Sequence, residues 1–129
     1  EHPVATIELT LENFEETVND NDFIFVDFWA EWCGPCKQFG PVFEAAAEKH
    51  DDIVFGKVDA DTQQQLAGHF NIRSIPTLMA IRDNVVLFSQ PGALPAHAFE
   101  DLIEQIRAVD MDDVRRQIAE ERAAASDDD

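Results

Sequence analysis

The sequence predicts an α/β domain: a central mixed sheet of five strands with helices on both faces, followed by a helical extension. Three observations carry this. Phe23–Trp29 is nearly continuously apolar, β-branched and aromatic, as a strand covered on both faces is. β-type runs alternate with runs of helical spacing as far as Phe70. Two further β-type runs, 77–81 and 85–90, then flank the short polar link Arg82-Asp83-Asn84, which signals a hairpin.

In chain order, residues 4–8 give a short strand. Thr10 is placed to cap a helix over 11–19. After the Phe23–Trp29 strand, Phe39, Val42, Phe43 and Ala46 recur at helical spacing. Pro41 lies inside that helix and removes one backbone donor, so a kink rather than an end is expected there. Residues 53–58 read as a buried strand. Residues 62–70 read as a short helix with Leu66 and Phe70 on one side. Beyond the hairpin, Phe99, Leu102, Ile103 and Ile106 form the apolar stripe of a closing helix, with Pro95 suited to its first turn. The domain is assigned to residues 1–108. In 109–129, Met111, Val114 and Ile118 mark one more helical stripe with Asp110 as its N-cap, and the acidic end 127–129 is expected to fray.

A chain of 129 residues is long enough to bury a core without disulfide staples. The formal net charge of −18 repels phosphate backbones and anionic lipid heads. Nucleic acid and membrane surfaces are therefore not expected partners. No stretch approaches the ~20 apolar residues that span a bilayer. No basic, apolar leader is visible ahead of the first strand, which favours the cytoplasm.

Chemistry concentrates in Trp32-Cys33-Gly34-Pro35-Cys36, which holds both cysteines of the chain, where the apolar strand gives way to a helix. Two intervening residues bring the thiols within bridging reach. Cys33 sits at the helix amino end, where unpaired N–H groups and the helix dipole favour a negative charge. Its thiolate should form more readily than that of a free cysteine, which makes Cys33 the nucleophile and Cys36 the resolving thiol. Pro35 needs no N–H in the first turn. A structural zinc site wants four ligands. There is no second cysteine pair, and His2, His50, His69 and His97 lack paired spacing, so no metal is expected. Asp27 is a lone carboxylate in an apolar strand, so its pKa should rise. Lys57 interrupts another buried strand and needs a partner.

The stretch Val26-Asp27-Phe28-Trp29-Ala30-Glu31-Trp32-Cys33-Gly34-Pro35-Cys36-Lys37 resembles the active-site segment of the thioredoxin family. Lys57-Val58-Asp59, Ile72-Arg73-Ser74-Ile75-Pro76-Thr77 and Gly92 agree with it in order and spacing, so the resemblance covers about residues 3–108. It implies the thioredoxin fold and a protein-disulfide reductase with no bound cofactor. It gives Asp27 the role of taking the proton from Cys36, with Lys57 as its partner and coupled titration of the two. It also implies a cis Ile75-Pro76 bond that turns the Ile75 backbone towards the thiols, ready to pair with an extended substrate chain. Trp32, Gly34, Pro35, Ile75, Pro76, Gly92 and Ala93 would form an uncharged surface around Cys33 for disulfide-containing protein substrates. The electron donor implied is an NADPH-linked flavoprotein, thioredoxin reductase, and a monomer is expected. Trp29 reads equally well as a core residue or a neighbour of the site. The chain departs from the family at Asp83-Asn84, where a glycine is common, but Asn tolerates the left-handed backbone of a turn.

Two other readings compete. An exported oxidase or isomerase would use the same sulfurs in the opposite direction, yet such proteins usually carry a histidine between the cysteines, and here the pair is Gly34-Pro35. A thioredoxin-fold interaction module would rely on the acidic tail and not on the dithiol.

Overall fold

The computed structural model describes residues 5–127. Its elements run β1 (Ile7–Glu8), α1 (Phe14–Asp20), β2 (Phe23–Trp29), α2 (Gly34–Lys49), β3 (Val54–Asp59), α3 (Gln64–His69), β4 (Thr77–Arg82), β5 (Val85–Pro91), α4 (Ala96–Arg107) and α5 (Met111–Asp127). The five strands form one sheet in the order β1-β3-β2-β4-β5. β3 is parallel to both β1 and β2, whereas β4 is antiparallel to β2 and β5. The expected mixed sheet is therefore present. Residue 4, the start of the expected first strand, lies outside the described residues, as do His2 and the last two aspartates of the tail.

β2 is central, and both of its faces are covered. Phe23 and Phe25 face α2 and α4, where Phe39, Phe43 and Phe99 close around them together with Phe55 of β3. The Phe25 and Phe99 rings meet edge to face at 5.3 Å, as do Phe43 and Phe55. Ile24, Val26 and Phe28 face the opposite way, onto Leu66 and Ala67 of α3 and onto Phe14 and Val18 of α1. Each buried phenylalanine contributes about 1.5–3 kcal/mol relative to an exposed one. The two faces of β2 thus anchor the two helical layers.

Local chemistry moves several boundaries. α1 starts three residues later than expected, with Asn13 and not Thr10 at its N-cap position. Thr10 and Asn13 instead bond each other: the Thr10 N–H donates to Asn13 Oδ1 at 2.7 Å, and the Asn13 N–H donates to Thr10 Oγ1 at 3.3 Å. That exchange holds residues 11–13 in a turn. α3 also starts late, because Asp59 Oδ1 accepts the N–H groups of Asp61 and Thr62 and keeps them in a loop. Pro95 is the N-cap of α4 and precedes its first turn. α2 continues through Pro41 without ending. The hairpin turn has Asp83 at φ 51° and Asn84 at φ 66°, two successive left-handed residues that match the strand twist.

The extension is one helix, with the Asp113 N–H donating to Asp110 Oδ1 as an N-cap. The helix runs on to Asp127, and the rest of the acidic end expected to fray lies outside the described residues. Met111 is buried, and Arg115 pairs with Asp83 of the hairpin at 2.7 Å. Arg82, at the end of β4, directs Nη1 at the carbonyls of Ile106, Arg107 and Val109, at 3.0–3.2 Å. One guanidinium thereby satisfies the end of α4 and the start of the extension.

β1 is held against β3 by close approach. Gly56 of β3 lies under the fully buried Leu9, and a Cβ at position 56 would overlap the Leu9 isobutyl group. Gly56→Ala is expected to cost about 1–3 kcal/mol of stability by overpacking. A lower urea midpoint with an unchanged slope would show it.

Candidate active site

The site forms where the carboxyl ends of β2 and β3 meet the amino end of β4. β2 ends at Trp29, and Ala30 to Trp32 lead into α2. The Cys33 N–H donates to the Ala30 carbonyl at 3.2 Å, which closes the turn. Cys33 is the N-cap of α2, and the Cys36 N–H donates to Cys33 Sγ at 3.2 Å. Cys33 and Cys36 are joined by a disulfide, with Cα atoms 5.2 Å apart. The helix therefore points an otherwise unpaired N–H at Cys33 Sγ, in a region where its dipole also favours negative charge.

Both cysteines are nearly buried, at 3 % exposure for Cys33 and 4 % for Cys36. Exposed Trp32, Gly34 and Pro35 form the rim, and Trp32 is 70 % exposed. The Ile75 carbonyl oxygen approaches Cys33 Sγ at 3.7 Å; with the sulfur oxidised there is no S–H, so this is a contact and not a hydrogen bond. Ile75-Pro76 is cis. Gly92, at φ 118°, donates its N–H to the Pro76 carbonyl at 2.9 Å, which brings the Gly92–Ala93 segment alongside. Trp32, Gly34, Pro35, Ile75, Gly92 and Ala93 all keep accessible surface. Pro76 is buried and supports that surface from beneath. Trp29 is half-buried and packs against Ala30, Cys33 and Cys36, so it is a neighbour of the site as well as part of the core margin.

One participant carries no signal in the sequence. Asp61 accepts a hydrogen bond from the Trp32 indole N–H at 2.8 Å and fixes the exposed ring. Beside that ring runs a groove of about 560 Å³, bounded by Asp61, Ile72, Arg73 and Ile75. Nothing in the local spacing links residue 61 to residue 32.

Asp27 is fully buried beneath the sulfurs' helix, and neither carboxylate oxygen has a hydrogen-bond partner among the described residues. Burial pushes its pKa up to about 7; the Lys57 ammonium opposes that rise and the Glu44 carboxylate adds to it. Lys57 is in register with Asp27 on the neighbouring strand. Among the described residues no acid lies within 4 Å of the Lys57 nitrogen, so the expected partnership is a field across a gap and not a contact ion pair. The ammonium sits instead over the Trp29 ring, 5.1 Å from its centroid. Among the described residues, no cluster of three or more histidine, cysteine or acidic side chains is placed to hold a metal ion. None of the described helices is long and apolar enough to cross a membrane.

Comparison with known proteins agrees with this geometry. The thioredoxin family model matches residues 5–105. The chain belongs to the thioredoxin family. A Streptomyces coelicolor protein described as putative thioredoxin 2 is 60 % identical over 94 % of this chain and 90 % of its own length. Thioredoxin C-3 of Corynebacterium nephridii is 36 % identical over 80 % of this chain and 72 % of its own. Among solved structures, a thioredoxin variant from Halobacterium salinarum superposes with a TM-score of 0.73 at 32 % identity, covering 81 % of this chain and 94 % of that one. The thioredoxin fold and the redox pair Cys33–Cys36 make this chain a thiol–disulfide oxidoreductase, a protein-disulfide reductase. Thioredoxins in general act on disulfide-bearing proteins and are returned to the dithiol by a thioredoxin reductase.

Asp27 also leaves a thermodynamic trace. Its folded pKa of about 7 lies above the ordinary 3.8, so the folded state binds the proton more tightly than the unfolded state. Its favourable contribution is complete below about pH 4 and is lost as pH rises through about 7. Asp27→Asn is expected to remove this dependence and to be the more stable protein above pH 7, by a few kcal/mol. Urea titrations at pH 5 and pH 8.5 measure the difference.

Proposed function

We propose that this thioredoxin reduces disulfides in extended segments of other proteins, with Cys33 attacking, Cys36 resolving and Asp27 receiving the proton. The observation that carries the reading is the Cys36 N–H aimed at Cys33 Sγ from the first turn of α2, above a buried carboxylate free of hydrogen bonds. In the reduced protein, the Cys33 thiolate attacks one sulfur of the substrate disulfide. That bond breaks, the leaving sulfur takes a proton, and a mixed disulfide joins Cys33 to the substrate. Cys36 then gives its proton to the Asp27 carboxylate, through a water, and attacks Cys33 Sγ. The bond from Cys33 to the substrate breaks, the second substrate sulfur leaves as a thiolate, and the proton held by Asp27 returns through the water to it. The substrate departs as a dithiol, and the Cys33–Cys36 disulfide carries the two electrons' worth of oxidation. A group with a pKa near the working pH is suited to that transfer.

Trp32, Gly34, Pro35, Ile75, Gly92 and Ala93 supply the landing surface. The Ile75 backbone beside Cys33 is placed to pair with an extended substrate strand. Lys57 tempers the proton affinity of Asp27 across the sheet. The two sulfurs carry the electrons with no further cofactor. An NADPH-linked flavoprotein reductase restores the dithiol, and the protein works as a cytoplasmic monomer.

Cys33→Ser is expected to reduce insulin disulfides no faster than buffer, whereas Cys36→Ser accumulates a mixed disulfide visible by mass spectrometry. In stopped-flow measurements, resolution of that intermediate should speed up as pH rises through about 7. Asp27→Asn should lose the rise and resolve on the order of 100-fold more slowly. A pH profile that Asp27→Asn leaves intact refutes the proton role.

A further inference from the structure

Three charged residues form one row across the sheet. Asp27 of β2 is in register with Lys57 of β3, and Lys57 is in register with Glu8 of β1. Residues in register on neighbouring strands share a face. Acid, base and acid therefore run from the buried middle of the sheet to its open edge: Asp27 is buried, Lys57 half-buried and Glu8 exposed. The Lys57 ammonium is bounded on one side by Gly40 of α2, where a Cβ would lie 3.8 Å from it, and by the Trp29 ring. On its outer side is an open cavity of about 270 Å³ lined by Thr6, Ile7, Glu8, Trp29, Lys57 and Asp59.

The charged groups around this row are few. Asp27 faces Lys57 from β2, Glu44 contributes from α2, Asp59 lies two residues on along β3, and Glu8 comes from β1. Asp59 is committed elsewhere, since its Oδ1 accepts the N–H groups of Asp61 and Thr62. The carboxylate of Glu8 makes no hydrogen bond among the described residues, and its backbone carbonyl accepts from the Asn13 side chain. Lysine carries its charge on a flexible four-carbon stem, so an acid on the outer side draws the ammonium away from one on the inner side.

We propose that Glu8 is a positioning residue for Lys57, its charge drawing the ammonium towards the sheet edge from beyond ion-pair contact and so setting how strongly Lys57 opposes proton uptake by Asp27. The inference rests on the reading of Asp27 as proton acceptor. Removing the Glu8 charge lets the ammonium swing inward, where it favours the ionised form of Asp27. Glu8 is exposed on an edge strand, so Glu8→Gln changes charge with little change in packing.

The experiment is a carbon-detected NMR titration of the Asp27 carboxyl in the oxidised full chain. Glu8→Gln is expected to lower the Asp27 midpoint by about half a pH unit. Lys57→Met should raise it, and adding Glu8→Gln to Lys57→Met should change nothing more. An unchanged midpoint in Glu8→Gln overturns the proposal. So does an equal shift in both backgrounds, which would mean that Glu8 acts on Asp27 directly. Failure of the underlying reading shows elsewhere: if Asp27→Asn keeps the pH profile of mixed-disulfide resolution, the proton role and the catalytic consequence of Glu8 fall together, whatever the titration midpoints are.

Discussion

A carboxylate at the centre of a hydrophobic sheet has nowhere to put its charge. The backbone groups of β2 around Asp27 are engaged in ladders with β3 on one side and β4 on the other. Its own oxygens meet no donor. Buried as it is, and with no contact cation among the described residues, ionisation is costly, and the proton is held until near neutrality. The position is tolerated because β2 is otherwise so well packed: the phenylalanine cluster on one face and the aliphatic layer on the other fix the strand in place. The core that stabilises the fold thus also creates the low-dielectric surroundings that raise the pKa of Asp27.

The same strand delivers the sulfurs. Because β2 ends where α2 begins, the residue following the turn becomes a helix N-cap, and here that residue is Cys33. A serine or aspartate oxygen usually accepts an N–H from the first turn of a helix. In this chain a sulfur takes that place. The local rule that starts the helix therefore also sets an N–H donor against one sulfur of the redox pair.

Much of this was legible in the sequence, and the reasons are physical. A fully apolar β-branched run forces a doubly covered strand, and a lone aspartate within it forces a raised pKa. Two cysteines three apart at a strand-to-helix junction force the thiols into one helical turn. The Asp83-Asn84 turn was readable because few residues accept left-handed backbone in succession. What escaped depended on contacts between distant positions. Thr10 has the chemistry of a helix cap, and only its exchange with Asn13 shows that the chain spends it on a turn. The clamp of Asp61 on Trp32 crosses from one loop to another. The separation of Lys57 from Asp27 needed the position of the Trp29 ring, which strand periodicity does not encode.

The clamp formed by Arg82 has a practical outcome. β4 begins at Thr77, beside the Ile75-Pro76 bond, and ends at the guanidinium that gathers the carbonyls preceding α5. Six residues of strand, about 20 Å, separate these two ends. The first turns of α5, where Arg115 reaches Asp83 of the hairpin, are therefore tied to the end of β4 remote from the disulfide, so a dye attached at an exposed position there, such as Asp112, would report on the extension without crowding the sulfurs.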